Sequence, residues 1–463
     1  MAGRWLEPVQ QQRLHLQPLL IPIVFFGLAI FLGSVVLVLP VCLSEGTSLH
    51  WIDALFTAAS ATCVTGLAVV DTGTTFSRSG QVVLLFLMQV GGLGIMSLTS
   101  LGLYLLRKRV TLTDRIAVGQ NLLQDPSFHL GRFLYRLVVY TFVIELVGAV
   151  LLHVVTRGEM GAFSTLFHAV SAFCNGGFSL YADSLSRWVD APLVNLVVAG
   201  LIILGGIGFF VMTDVMQWLG PRLAGERRLP RSRLSWYSEV VLKNTLFLIV
   251  AGTVAIFVAE WVVHSHHYSP ARALLASFFQ AVSCRTAGFN TVPVGGLGTV
   301  TLLVMIALMF IGAAPGSCAG GIKITTFRVL VAFLHAELRG RDQTVIGRMA
   351  VSREAVRRSM SLFAFSVLII WLAILVLCYT ETGTLPDLQA RARFIDITFE
   401  VVSAFGTVGL STGLTPELTL AGKYVIIALM FIGRLGPLVF IGALSTLQRR
   451  EAFSRPDADL LIG

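Results

Sequence analysis

The 463 residues are 55% hydrophobic and only 13% charged, about half the charged share of an ordinary soluble domain, roughly 25%. That balance excludes a soluble multidomain protein. The net charge of +9 would suit a nucleic-acid binder in sum, but no aromatic-studded basic face accompanies it, and the positions of the charges have another cause.

Along the chain, apolar runs with few or no charges occupy 19–39, 82–106, 133–155, 193–219, 240–263, 300–311, 362–377 and 424–444. Most reach the roughly 20 residues a helix needs to cross about 30 Å of hydrocarbon. An all-α polytopic membrane protein is expected. Residues 1–18, 105–136, 219–243, 328–358 and the C-terminal tail together hold 24 of the 34 Lys and Arg, and the loops of opposite parity hold seven. The positive-inside rule therefore puts the rich side, and both termini, in the cytosol. Six cysteines (Cys42, Cys63, Cys174, Cys284, Cys318, Cys378) lie in or beside apolar runs without CxxC or Cys/His spacing, and read as small buried hydrophobes.

An internal repeat dominates the pattern. Four segments align: Leu55-Phe-Thr-Ala-Ala-Ser60, Leu166-Phe-His-Ala-Val-Ser171, Phe278-Phe-Gln-Ala-Val-Ser283 and Thr398-Phe-Glu-Val-Val-Ser403. Each is followed by a glycine and an apolar residue, at Gly66, Gly177, Gly288 and Gly409, which are 111, 111 and 121 residues apart. The order around each glycine is the same: a long apolar helix, a short semi-apolar stretch, a polar segment, a second long helix. The short stretch cannot span the bilayer and is too apolar for a free loop, so it predicts a re-entrant half-helix. Non-helical backbone at membrane depth survives only where protein buries it or where it lines a watery path. The expected architecture is four units of helix, pore helix, filter and helix around a pseudo-fourfold pore: repeat 1 at 19–108, repeat 2 at 109–220, repeat 3 at 221–338 and repeat 4 at 339–447, with tails at 1–18 and 448–463. The third copy is one residue shorter between its serine and its glycine, and must turn differently there.

The candidate filter residues are Val64, Thr65 and Gly66; Asn175, Gly176 and Gly177; Thr286, Ala287 and Gly288; and Thr407, Val408 and Gly409. They include no nucleophile–base couple and no carboxylate, so acid–base or covalent chemistry has nothing to work with. What they offer is backbone carbonyls, which glycine lets approach a common axis and replace the water of a dehydrated cation. The competing reading, that small residues merely let helices pack, suits Gly91, Gly92 and Gly94 or Gly205, Gly206 and Gly208. It does not suit four equivalent glycines after four equivalent half-helices.

These segments resemble those of the Trk/Ktr/HKT superfamily of potassium transporters. Ala61-Thr-Cys-Val-Thr-Gly-Leu-Ala-Val-Val-Asp-Thr-Gly73 and Ser403-Ala-Phe-Gly-Thr-Val-Gly-Leu-Ser-Thr-Gly413 are similar to the first and fourth filters of Ktr-type membrane subunits, and Ser317-Cys-Ala-Gly-Gly-Ile-Lys-Ile-Thr-Thr-Phe327 is typical of that branch. The resemblance covers 19–463. It implies uptake of K+ across the plasma membrane, with K+ preferred over Na+ because glycine, not serine, stands at Gly66. Na+ dependence stays open, as do a Na+-permeable or poorly selective monovalent cation channel of the same fold and, in a different class, a secondary transporter.

Three basic residues fall in apolar or filter sequence, where a charge needs a partner or a wet cavity. Arg285 has neighbouring carbonyls or an acid such as Glu400 as candidate partners. Lys323 has two readings, snorkelling to the interface or facing the pore. Arg434 has no helix end nearby and is expected to line the pore below the filter. The second helix of repeat 3 is interrupted by Gly312, Ala313, Ala314, Pro315, Gly316, Ser317, Cys318, Ala319, Gly320 and Gly321, where proline and glycines oppose helix. An intramembrane loop is expected there, and the resemblance implies that it is a gate faced by Arg434. The isolated Glu145, Asp214, Glu260 and Glu400 are read as structural hydrogen-bond acceptors and not as a proton relay. There is no Walker loop, HExxH or Ser/His constellation, so neither an enzyme nor a nucleotide site is expected on this chain.

The cytosolic loops are short and basic, leaving no room for a regulatory domain. Attraction to anionic lipid is one account of them. The resemblance implies in addition a homodimer docked on a cytosolic octameric ring of RCK-type subunits, KtrA-like, which would carry the ATP or ADP. The tail 457–463 is assigned to the dimer interface by the same resemblance.

Overall fold

The computed structural model describes residues 7–107, 130–223, 233–263, 269–383 and 386–436. The expected tail 448–463 and the end of the last apolar run, 437–447, lie outside them.

Each repeat is a helix, a middle helix and a second helix; the middle helix has 12 to 14 residues in repeats 1–3 but 20 in repeat 4, and the second helix is in two pieces in repeats 2 and 3. Repeat 1 holds α1 (Glu7–Leu37), α2 (Trp51–Thr62) and α3 (Arg78–Arg107); repeat 2 holds α4 (Leu130–Val155), α5 (Ala162–Cys174), α6 (Pro192–Gly206) and α7 (Phe209–Leu223). Repeat 3 has α8 (Trp236–Phe257), α9 (Pro270–Ser283), α10 (Thr299–Phe310) and α11 (Ile324–Leu338). Repeat 4 has α12 (Arg353–Thr382), α13 (Asp387–Gly406) and α14 (Leu420–Leu435). Helix starts are written locally: Ser235, Ser269, Ser352 and Thr419 each accept a hydrogen bond from the backbone N–H three residues on.

The outside is apolar, and the repeat serines lie inside. On α4, Val143, Leu146, Val147, Val150 and Val154 form an exposed stripe at helical spacing, and Leu246, Phe247, Val250 and Val254 do so on α8. Meanwhile Ser60, Ser171, Ser283 and Ser403 are wholly buried. Lipid is the solvent such a surface fits. Three described helices, Tyr135–Val155, Trp236–Glu260 and Arg353–Thr382, are long and apolar enough to span, and the protein is a multi-pass membrane protein.

The ring of repeats closes where repeat 4 meets repeat 1. There Lys423 of α14 donates to Asp53 of α2 at 2.6 Å, both side chains only 15% exposed. The acids near the C-terminal ends of α8 and α12 cap the second helices of their own repeats: Glu260 accepts from Thr301 Oγ1 at 2.6 Å, and Glu381 accepts from Thr419 N at 3.0 Å.

Two features depart from simple spans. The run 193–219, expected as one span, is α6 and α7 bent by 106°. A small antiparallel hairpin, Val345–Ile346 with Met349–Ala350, stands between α11 and α12, its Ile346 carbonyl held by Trp236 Nε1 at 2.9 Å.

Candidate functional site

The four short helices end in the same way. The residue two before the key glycine takes a left-handed conformation, φ 54° at Val64, 59° at Asn175, 76° at Thr286 and 49° at Thr407. At the β-branched three this is strained by roughly 1–3 kcal/mol, the kind of cost that clusters at functional sites. The glycines are left-handed as well, at φ 98°, 69°, 79° and 90°, with an ordinary residue (Thr65, Gly176, Ala287 or Val408) between. Along a regular strand carbonyls alternate sides. Interposing left-handed residues turns successive carbonyls toward one side.

The serines recognised in the repeat hold this shape. Ser60 Oγ accepts from Gly66 N at 3.1 Å; Ser171 Oγ donates to the Phe178 carbonyl at 2.9 Å; Ser403 Oγ accepts from Gly409 N at 3.1 Å and donates to the Leu410 carbonyl at 2.7 Å; Ser283 Oγ donates to the Phe289 carbonyl. In repeats 1, 2 and 4 the residue before the glycine donates to the serine carbonyl five positions back, as in Thr65 N to Ser60 O at 2.8 Å. In repeat 3 Ala287 N reaches Ser283 O only four back, at 2.9 Å, which absorbs the missing residue.

The four glycines meet in one ring, in chain order. A β-carbon on Gly66 would stand 2.7 Å from Gly176 O, on Gly177 3.0 Å from Ala287 O, on Gly288 2.7 Å from Val408 O, and on Gly409 inside contact distance of Thr65 O. Each wall thus touches the next, and only glycine fits at the touching point. Asn175 and Thr286 hydrogen-bond across two walls at 3.2 Å. The hydroxyls of Thr65 and Thr407 are buried without a partner among the described residues. Four helix C-termini, the negative ends of their dipoles, converge on this ring, an arrangement that favours a cation.

Beneath it lies the interrupted helix of repeat 3. The chain leaves α10 at Ile311 and returns at Ile322, the neck closed by Gly312 N to Ile322 O at 2.8 Å and Ile324 N to Ala313 O at 3.1 Å. The loop's own N–H groups explain the bend in repeat 2. Ala314 N donates to Gly206 O at 3.0 Å and Cys318 N to Gly205 O at 3.2 Å, and the chain turns through Gly208 at φ 84°, where Phe209 N donates to Gly316 O at 3.2 Å. Pro315 O receives the Tyr237 hydroxyl at 3.4 Å, and Ser317 Oγ donates to Ala314 O at 2.6 Å. Gly320 packs against the Thr407 side chain and Gly321 against Gly406, which puts the loop directly under the fourth wall.

Arg434 is 2% exposed, and its two terminal nitrogens donate to the carbonyls of Cys318, in the loop, and Gly91, in α3. Lys323 turns its ammonium onto the Ala319 carbonyl, within the loop. Arg285 is 6% exposed, with Nε and Nη2 unpartnered among the described residues. Glu400, one of its expected partners, is taken instead by Ser411, Thr412 and Thr415 of its own repeat. The other isolated acids are structural acceptors: Glu145 for Gln89 and Cys174, Asp214 for Ser235 N at 3.0 Å.

One equivalence escaped sequence reasoning. β-Carbons on Gly91, Gly205 and Gly433 would each strike the carbonyl two residues beyond a repeat serine, at Thr62, Phe173 and Phe405. This registers the second helices on the short ones and sets Arg434 where repeats 1 and 2 carry Gly92 and Gly206. The shared Gly in QVGGLG, LGGIG and FIGRLG was the available signal.

Four re-entrant helices ending on a shared ring of backbone oxygens, all on one chain inside a lipid-facing shell, define a multi-pass cation-pathway fold. The family model for cation transport proteins of the TrkH type matches residues 15–451, and the chain belongs to that family. It is 41% identical over 447 residues to Ktr system potassium uptake protein B of Bacillus subtilis (strain 168), spanning 95% of each chain. It is 35% identical over 446 residues, again 95% of each, to the potassium/sodium uptake protein NtpJ of Enterococcus hirae. Among solved structures it is similar to the crystal structure of the potassium transporter TrkH from Vibrio parahaemolyticus, with a TM-score of 0.72 at 20% identity, over 95% of this chain and 86% of that one.

Proposed function

We propose that this chain carries K+ into the cell through the glycine ring, the carbonyls around Gly66, Gly177, Gly288 and Gly409 standing in for water around the ion. The observation that carries this is the contact of each wall with the next at a left-handed glycine whose neighbour's backbone crowds any added side chain. The unpartnered hydroxyls of Thr65 and Thr407 are further oxygens free for the ion. The relatives' names, potassium uptake in one case and potassium/sodium uptake in the other, favour K+ as cargo and keep a second reading in play, in which Na+ passes or drives the flux.

In this reading the loop from Gly312 to Gly321 gates the path from below. Arg434 and Lys323 hold it shut by binding its carbonyls, and the charge of Arg434 adds a barrier to cations. Control comes from outside the chain, from an octameric RCK-type ring that carries the nucleotide, under a homodimer of this subunit in the plasma membrane with both termini in the cytosol.

The test is 86Rb+ influx into proteoliposomes holding the purified chain, with and without Na+ and the ring. Influx suppressed by external K+ at concentrations where Na+ has no effect supports K+ uptake. Equal suppression by both ions moves the assignment to the monovalent channel, and absence of influx under every condition refutes it. Gly66→Ser lowers the preference for K+ if carbonyls at that wall select.

A further inference from the structure

Three residues before the four serines, the short helices carry Thr57, His168, Gln280 and Glu400. The four equivalent positions are used differently. Thr57 Oγ1 donates into its own helix, to Asp53 O at 2.7 Å. His168 Nε2 lies 3.0 Å from Ser179 Oγ, two residues beyond Gly177. Gln280 is 1% exposed, and both its amide nitrogen and its amide oxygen lack partners among the described residues. Glu400, also 1% exposed, collects Ser411 Oγ, Thr412 N at 3.2 Å and Thr415 Oγ1 at 2.7 Å. Those partners begin two residues beyond Gly409 and are tied to one another, since Thr415 Oγ1 also reaches Ser411 Oγ at 3.1 Å and Gly413 N donates to Ser411 Oγ at 2.9 Å.

From this asymmetry we infer that Glu400 is a positioning residue for ion discrimination, fixing the chain beyond Gly409 and with it the radius at which the fourth wall presents its oxygens. The inference rests on the filter reading above. Preference for the larger ion requires walls that do not close on the smaller one, whether by fit or by the field of the dipoles. Three hydrogen bonds from the chain beyond Gly409 converge on this one buried carboxyl, so moving that segment breaks several of them together. The fourth wall is therefore the stiff one, the second is braced by a single imidazole contact, and the first has no brace of this kind. Selectivity in this pore is unequally distributed over four walls that look alike in sequence.

The experiment measures the K+/Na+ preference in the 86Rb+ assay for the full chain and for Glu400→Ala, Glu400→Gln and the double variant Ser411→Ala/Thr415→Val, with Thr57→Val as the comparison. Glu400→Ala is expected to lower the preference about tenfold and the double variant about threefold, with Glu400→Gln recovering part of the loss because its oxygen still accepts. Thr57→Val keeps the wild-type ratio. If Glu400→Ala does not yield folded protein, the double variant, which leaves the carboxylate in place, carries the test. A wild-type ratio in the Glu400 variants that fold and in the double variant overturns the inference. So does an equal fall in Thr57→Val, which would mark a general effect of disturbing any short helix. If the unmodified chain itself does not distinguish K+ from Na+, the filter reading fails first and takes this inference with it.

Discussion

In repeat 1 the second helix runs unbroken from Arg78 to Arg107 past Gly91, Gly92 and Gly94; in repeat 2 the same spacing, Gly205, Gly206 and Gly208, ends one helix and starts another at 106°. The outer parts of the two repeats are alike, each with a serine-held left-handed turn and a glycine against its neighbour. The glycines permit both outcomes and do not choose between them. The choice is made by what lies alongside. In repeat 2 the interrupted chain of repeat 3 offers N–H donors to the carbonyls of Gly205 and Gly206, compensating the broken helix. In repeat 1 the corresponding Gly91 carbonyl receives the side chain of Arg434, which a continuous helix accommodates.

The comparison is most exposed to Gly91→Ala and Gly205→Ala. Both added carbons would collide with a short-helix carbonyl, so both should abolish uptake, by about a hundredfold or more in 86Rb+ influx, despite the different helix geometry. Tolerance at Gly91 alone would mean that the shared registration is not what these glycines serve. Next comes Arg434→Ala. Freed from Cys318, the loop should pass ions more readily in the absence of any partner, with influx rising about tenfold. Unchanged influx would leave the arginine as a strut and remove it from gating. The smallest contrast pairs Gly208→Ala with Gly94→Ala, read by thermal unfolding in detergent. At Gly208, φ 84° and a Pro315 carbonyl 3.0 Å from the new carbon make the change cost roughly 1–2 kcal/mol. At Gly94 the neighbour is the movable ring edge of Phe25 at 3.1 Å, and alanine gains up to about 1 kcal/mol of helix propensity, so the net change is near zero or stabilising.

The fourfold repeat, the glycine contact points and the break in repeat 3 were readable from residues because each rests on a backbone demand that few residue types meet: glycine at a left-handed contact point, serine behind it, proline and glycines where a helix must stop. The bend in repeat 2 was not readable, because its Gly-Gly-x-Gly pattern is indistinguishable from that of the straight helix in repeat 1 and its cause lies about 110 residues later, at Ala314 and Cys318. Pairings of the buried acids were hidden for a related reason. Glu145 meets Gln89 from another repeat, while Glu400 turns to its own repeat 11 to 15 residues on instead of to Arg285.

A ring threaded on a single polypeptide has one join that no peptide bond makes, and here it lies between repeats 4 and 1, where Lys423 clasps Asp53 and Arg434 reaches the Gly91 carbonyl. The last wall to be synthesised is also the one that seats against Thr65 of the first. A nascent chain therefore carries three sides of a ring that cannot close until the fourth repeat is made.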